Sequence, residues 1–169
     1  MRVMINLGAT NSWPWLNQSK RLGICLKGIL ESLVMVDQYF LNLYEVRPLY
    51  ETGVRYRNEP EGKAVFIPSN ADKNVDAAFG RQVSGQMEEA ASIPAILARG
   101  WGDCDDLAPW RVAELRRQGE KAKIRVQWKK DSNVKLFHIV VRREDGSIED
   151  PSKILGMHEP HWKNPRLYM

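Results

Sequence analysis

The sequence places a cysteine, a histidine and an aspartate in an order that suits thiol chemistry. Cys104, in the segment GDCDDLA, precedes a helical pattern, His138 lies within an apolar strand pattern, and Asp150 follows the next turn. In such a unit the imidazole activates the thiol for attack on a carbonyl carbon and later protonates the leaving group, while the carboxylate fixes the imidazole tautomer. The three residues are therefore candidate catalytic residues.

The surroundings of Cys104 favour a reactive thiol. A helix N-terminus or a nearby imidazolium lowers thiol pKa values to roughly 3.5–7.5. Asp103 is a candidate N-cap, and Asp105 and Asp106 fall in the first turn, where the helix dipole favours carboxylates. Because three carboxylates beside sulfur would oppose its ionisation, we expect them to bond backbone amides or basic groups and to point away. Pro109 cannot donate to a carbonyl of the first turn, which is predicted to be kinked or separate from the main helix.

His138 and Asp150 can meet only if the hairpin between them has a particular loop. A two-residue turn would place Asp150 on the opposite sheet face from His138. A three-residue loop, Glu144-Asp145-Gly146 with Gly146 left-handed, pairs residue 140 with residue 150 instead. His138 and Asp150 are then diagonal neighbours on one face, roughly 7–8 Å apart at the backbone. A catalytic pair therefore requires the three-residue loop.

An acyl-transfer site also needs donors for the developing oxyanion. The backbone amide of Cys104 is the natural first donor, and Trp101, Gln82 and Gln86 are candidates for the second, which the sequence does not rank. A zinc site on Cys104 and His138 is not favoured, because no Cys-x-x-Cys or His-x-x-x-His pair supports it. We expect neither a metal nor a cofactor.

The other elements predict an α+β fold in which N-terminal helices pack on a small antiparallel sheet. Apolar spacing over residues 20–45 indicates a long, largely buried helix with Ser19 as its cap, in which Cys25 is a small buried hydrophobe. Residues 69–89 indicate a long surface loop or weak helix. Further helices are predicted at 93–100 and 107–118, a short strand within 50–57, and strands at 123–129, 135–143 and 147–150.

Length and charge bound the function further. At 169 residues the chain suits one domain, assigned to 1–155 with a core at about 93–155, followed by an extended arm at 156–169. No apolar run could span a bilayer and no signal pattern begins the chain, so neither membrane association nor secretion is expected. The net charge of +4 permits an acidic partner but does not point to nucleic acid.

Around the catalytic candidates the chain resembles the transglutaminase-like cysteine peptidase superfamily, a branch of the papain-like fold. The resemblance is carried by GDCDD at 102–106, the LRRQG run at 115–119, His138 and Asp150-Pro151. It implies that Cys104, His138 and Asp150 are catalytic and that the substrate is a peptide or protein amide. One departure is Ile139, where the family usually has an aromatic residue.

The segment GWGDCDDLA and the upstream YETGVRYRNEP also resemble small proteins encoded in tailed-phage genomes. Two hypotheses follow. The first is a Cys-His-Asp hydrolase or acyltransferase that works through a thioester. The second is a virion or assembly protein that uses the fold for protein–protein contacts, with the long helix and the C-terminal arm as docking elements. Either protein is expected in the host-cell cytoplasm or in the virion.

Overall fold

The computed structural model describes residues 2–6, 18–58, 87–131 and 134–158 of the chain. Its helices are α1 (Gln18–Leu43), α2 (Ile93–Arg99), α3 (Cys104–Arg117) and α4 (Pro151–Ile154), with a 3-10 helix at Leu49–Glu51. Its strands are β1 (Arg2–Asn6), β2 (Arg55–Tyr56), β3 (Met87–Ala91), β4 (Trp101–Gly102), β5 (Lys123–Asp131), β6 (Val134–Arg142) and β7 (Ile148–Glu149). The fold is mixed α+β, with helices packed on small sheets, as the sequence predicted.

Three separate small sheets are present among these residues. Strands β5, β6 and β7 form an antiparallel sheet in chain order, and β1 pairs antiparallel with β3. Strands β2 and β4 pair in parallel. The three C-terminal strands, the short strand within 50–57 and the helix at 93–100 were all predicted. The interpretation of 69–89 as loop or weak helix is wrong from residue 87 onward, where β3 begins, and its earlier part lies outside the described residues.

Helix α1 forms one wall of the core. Leu26, Leu30, Leu33 and Leu41 are buried at helical spacing, and the helix packs against α3, β3 and β5. The long helix was therefore predicted correctly, but Ser19 is not its cap. An N-cap residue has a non-helical backbone, whereas the helix already includes Gln18. Cys25 is only half-buried, because it lies at the edge of the core-facing stripe.

The outer side of α1 carries apolar residues that the core does not cover. Ile24, Met35, Tyr39 and Leu43 are 54%, 69%, 67% and 56% exposed, and we call them the exposed α1 face. The sequence showed apolar residues almost all round this helix and predicted that it packs against more than one neighbour, which its contacts with α3, β3 and β5 confirm. These neighbours leave the exposed α1 face uncovered.

Asp37 is the one acidic residue of α1 that is fully buried among the described residues. Its Oδ1 accepts a hydrogen bond of 2.9 Å from the backbone amide of Ile93, the first residue of α2. The side chain thus ties the start of α2 to the middle of α1. Burial raises the pKa of Asp37 to about 7, although the hydrogen bond from Ile93 opposes the rise.

Replacing Asp37 with asparagine should stabilise the protein in a pH-dependent way. A carboxyl with a raised pKa in the folded chain makes the wild type lose stability as pH rises from about 4 to about 7. Asparagine keeps the acceptor for Ile93 but cannot ionise. In denaturant titrations, the gain of Asp37→Asn over wild type should be larger at about pH 8 than at about pH 5.

The matched control for this experiment is the exposed residue Asp145. Hydrogen bonds from Ser147 hold the pKa of Asp145 below its ordinary value. The ionised Asp145 therefore stabilises the fold at pH values above the ordinary pKa of an aspartate, and Asp145→Asn should lose that stability there. An Asp37→Asn gain that did not change with pH would contradict the burial of an ionisable carboxyl in α1.

Within the described part of the chain, no helix combines the length and the apolar character that crossing a bilayer requires.

Candidate active site

Cys104 is the first residue of α3, which begins three residues before the helix predicted at 107–118. Asp103 is the N-cap, and Asp103 and Asp106 form a reciprocal capping box in which the amide of Asp103 donates to Asp106 Oδ2 at 3.2 Å. The thiol is half-buried and packs against the hydrophobic core. Cys104 thus lies at the positive end of a helix of 14 residues, where a thiolate is favoured.

Asp106 is turned into the protein and is fully buried. Its Oδ1 accepts a hydrogen bond of 2.6 Å from the amide of Ala91 at the end of β3, and its Oδ2 is paired with the guanidinium of Arg99 in α2. Burial and the charge of Asp103 push its pKa upward, while Arg99 and the two backbone amides oppose that rise. The expectation that the acidic side chains bond amides or basic groups is confirmed for Asp106.

Pro109 lies inside the continuous helix α3. A first turn separate from the main helix was therefore a wrong prediction. The proline removes only one donor, and the capping box together with the hydrogen bond from Leu107 to the Asp103 carbonyl (3.0 Å) holds the turn before it. The helix that begins at Cys104 runs unbroken into the core.

Gly102 is required by the close approach of the chain to α3. A Cβ atom built at this position would meet the Asp106 Cβ and Leu107 Cδ2 at 3.1 Å and the Asp106 Oδ2 at 3.3 Å. The backbone two residues before the thiol therefore lies directly against the first turn of its helix. The glycine of the GDCDD segment is explained by packing.

Substituting Gly102 with alanine should destabilise the fold by about 1–3 kcal/mol, the usual cost of overpacking a close contact. The matched control is Gly28→Ala in α1, where a Cβ would meet nothing within 4 Å. This substitution should stabilise the helix by about 0.5–1 kcal/mol. Thermal denaturation of both variants gives the comparison. Equal stabilities for wild type and Gly102→Ala would contradict the close approach.

The hairpin that joins His138 to Asp150 has the three-residue loop. Residues Arg143 and Ser147 close it with a hydrogen bond of 2.9 Å, and Gly146 has a φ of 87°. Val141 pairs with Glu149, so the register continues to residue 140 opposite residue 150. The predicted loop is confirmed, and with it the shared sheet face of His138 and Asp150.

The two side chains meet on that face. Asp150 Oδ2 lies 2.9 Å from His138 Nε2, and the imidazole is only 3% exposed. Because Asp150 takes Nε2, a proton exchanged with a thiol would pass through the other ring nitrogen, Nδ1. Burial alone would raise the pKa of Asp150, but the hydrogen bond and charge of His138 hold it below its ordinary value. The carboxylate is therefore ionised at neutral pH.

Asp150 is also fixed by its own backbone position. It is the N-cap of α4, where its Oδ1 accepts a hydrogen bond of 3.3 Å from the amide of Lys153. Pro151 is the first residue of that helix, a position that suits its fixed φ. The Asp-Pro sequence thus holds one carboxylate oxygen on a helix, while the other meets His138 at 2.9 Å and lies 3.7 Å from Lys153 Nζ.

The neighbouring residue, Glu149, belongs to a network that sequence reasoning missed. Its Oε1 accepts hydrogen bonds of 2.5 Å from the hydroxyl of Tyr50 and from Nε of Arg111, and its Oε2 lies 2.8 Å from Nη1 of Arg143. Burial acts to raise the pKa of Glu149, but the bonds from Arg111 and Tyr50 hold it below its usual value. The network ties β7 to α3 and to the 3-10 helix, one residue before Asp150.

Of the four candidate oxyanion donors, the structure describes Cys104 and Trp101. The amide of Cys104 lies at the N-terminus of α3, before the hydrogen bond that Leu107 donates to the Asp103 carbonyl. The Trp101 ring lies beneath two guanidinium groups, those of Arg99 at 4.1 Å and Arg57 at 5.4 Å. Gln82 and Gln86 lie outside the described residues.

The packing of α3 brings the elements of the site together. This helix packs against β6, the strand that carries His138, and against α4, which Asp150 caps. In the described ranges, no group of three or more His, Cys, Asp or Glu side chains is arranged to hold a metal ion. The chemistry available here is that of a thiol at a helix N-terminus and a buried, carboxylate-bonded imidazole.

Neither family models, nor curated proteins, nor solved structures gave a match to this chain.

Proposed function

We propose that this protein is a transglutaminase-like thiol enzyme of the small phage-encoded type, with a papain-like fold, that cleaves or transfers peptide or glutamine-type amides through a thioester on Cys104. The observation that carries the proposal is the hydrogen bond between His138 Nε2 and Asp150, on the sheet against which the Cys104 helix packs. A buried imidazole held by a carboxylate through one nitrogen is oriented to exchange a proton at the other.

The proposed reaction has two halves. His138 Nδ1 takes the thiol proton, Cys104 sulfur attacks the substrate carbonyl carbon, and the Cys104 amide stabilises the oxyanion. When the intermediate collapses, the carbon–nitrogen bond breaks and His138 protonates the leaving amine, which leaves a thioester. Water then releases an acid, or a primary amine releases a new amide, with His138 again taking and returning a proton.

Asp150 serves this cycle by holding the imidazole. The carboxylate favours the tautomer with the proton on Nε2 and stabilises the imidazolium that forms when the thiol is deprotonated. Asp106 acts differently, because its carboxyl oxygens are bonded to Arg99 and to two backbone amides. Of the three buried aspartates in the GDCDD segment, Asp106 is therefore bonded to groups other than the Cys104 thiol.

Mass spectrometry of the products from a peptide library tests this function and separates its two forms. Incubation with the protein alone should convert an amide to the acid, and addition of a primary amine should give the corresponding new amide if acyl transfer occurs. The control is Cys104→Ala under the same conditions. Products that form equally with this variant would contradict the thioester route.

A second candidate is a virion or assembly protein that uses the fold for protein contacts with little or no catalysis. The exposed α1 face favours it, because four large apolar side chains on one helix are open to solvent. In that case Cys104→Ala would leave assembly intact, whereas Met35→Glu with Tyr39→Glu would block it. Lys27→Glu, an exposed change on the same helix, is the control. The reverse result would exclude this candidate.

A further inference from the structure

The segment after β2 runs beside the nucleophile. Strands β2 and β4 are parallel, and the amide of Arg57 donates to the carbonyl of Gly102 at 2.9 Å. Paired strands lie about 4.8 Å apart, and Gly102 is separated from Cys104 by two peptide units, at most about 7.6 Å between Cα atoms. The backbone of Arg57 is therefore a neighbour of the site, within reach of a substrate bound at the sulfur.

The Arg57 side chain is presented to solvent in a held orientation. It is exposed, and its guanidinium carbon lies 5.4 Å from the centre of the Trp101 ring. Stacking on an aromatic face limits the conformations of an arginine without using its hydrogen-bond donors. Among the described residues, no carboxylate lies within ion-pair distance of this guanidinium.

Arg99 provides the contrast. It also lies over the Trp101 ring, at 4.1 Å, but its guanidinium is bonded to Asp106 and to the Trp101 carbonyl. Arg99 is thus a structural residue, whereas Arg57 is oriented by Trp101 and offers its hydrogen-bond donors to solvent. The planar donor fork of arginine matches a carboxylate in bidentate geometry.

We propose that Arg57, stacked on Trp101 beside the Cys104 segment, is a specificity-determining residue that binds a carboxylate of the acyl donor close to the scissile carbonyl. The inference rests on the proposed function and names its substrate class as peptides with an acidic group near the reacting amide. Arg57 makes this contact before and during thioester formation and takes no proton.

Two alkylating probes of equal length test the proposal without knowledge of the natural substrate. These are N-iodoacetylglycine, which carries a carboxylate, and its neutral carboxamide. Alkylation rates at Cys104 and Cys25 are resolved by peptide mass spectrometry. The carboxylate-to-carboxamide rate ratio at Cys104 should exceed that at Cys25 by about two- to fivefold, the effect of an exposed ion pair, and should shrink at high salt.

Variants assign this preference to its source. Arg57→Gln should bring the Cys104 ratio down to the Cys25 value, Arg57→Lys should keep part of it, and Arg117→Gln should leave it unchanged. Arg117 is the control because it is exposed at the far end of α3, about 20 Å away along the helix. A wild-type ratio at Cys104 no higher than at Cys25, or one that survives Arg57→Gln, would overturn the proposal.

The same data separate this proposal from the function on which it rests. The rate of the neutral probe at Cys104, compared with Cys25, reports thiol activation and does not depend on carboxylate binding. An inactive thiol with a preserved ratio would count against the enzyme alone. An activated thiol with no ratio would count against Arg57 alone.

Discussion

Replacing Cys104 with alanine is expected to reduce product formation by at least about a thousandfold, because loss of a covalent nucleophile removes the reaction path itself. The measurement is the rate of product appearance in the peptide-library assay. Folding should be retained, since Cys104 is only half-buried and heads a helix that its capping box holds.

The matched control for this prediction is the other cysteine of the chain. Cys25 is half-buried in α1, on an element that carries none of the three catalytic candidates. Cys25→Ser should therefore keep the wild-type rate, whereas Cys104→Ser should be nearly as inactive as the alanine variant. A Cys104→Ala protein that retained most of its activity would contradict the thioester mechanism.

The second large effect is expected at the histidine–aspartate pair. His138→Ala should lower the rate by about 10²–10⁴-fold, the usual contribution of a general acid–base group. Asp150→Ala should also be severely impaired, because the imidazole loses the partner 2.9 Å from its Nε2. Asp150→Asn should fall between wild type and Asp150→Ala, since its single amide oxygen can replace only one of the two carboxylate oxygens that meet Nε2 and the Lys153 amide.

His158, an exposed histidine in the described C-terminal segment, is the control for general effects of losing an imidazole. His158→Ala should keep the wild-type rate. An Asp150→Asn variant as poor as Asp150→Ala would show that one amide oxygen does not replace the carboxylate in fixing the imidazole tautomer. Full activity in His138→Ala would contradict the pair as the catalytic base.

The sequence predicted the geometry of this pair because a strand has a fixed two-residue period. Once Gly146 is assigned the left-handed position of a three-residue loop, the sheet face on which each later residue of β7 lies is determined. The observed φ of Gly146 and the pairing of Val141 with Glu149 agree with that assignment. The cap at Asp103 was predictable for a similar reason, since local sequence determines helix capping.

Other parts could not be predicted, because they depend on contacts distant in sequence. Strand β3 reads Met-Glu-Glu-Ala-Ala, which has no strand-like alternation. It forms by pairing with β1, more than 80 residues earlier in the chain. The hydrogen bond from Ala91 to Asp106 then places β3 beside the Cys104 helix. No local pattern in the residues around Cys104 indicated either contact.

The network around Glu149 was missed for a different reason. Its partners are Tyr50 in the 3-10 helix, Arg111 in α3 and Arg143 just after β6, and each of them alone resembles an ordinary surface residue in the sequence. One signal was available. Two consecutive acidic residues at a strand end point to opposite faces of the sheet. If Asp150 faces His138, Glu149 lies on the other face and has to be neutralised there by basic side chains.

The pH dependence of alkylation by iodoacetamide shows whether Cys104 is an activated thiol. With mass spectrometry reading each cysteine separately, the rate at Cys104 should reach half its maximum below about pH 7.5, within the range of thiols at helix N-termini. The His138→Ala variant should move this midpoint upward. A midpoint near about 8.5, the value of an ordinary thiol, unchanged in His138→Ala, would contradict the account.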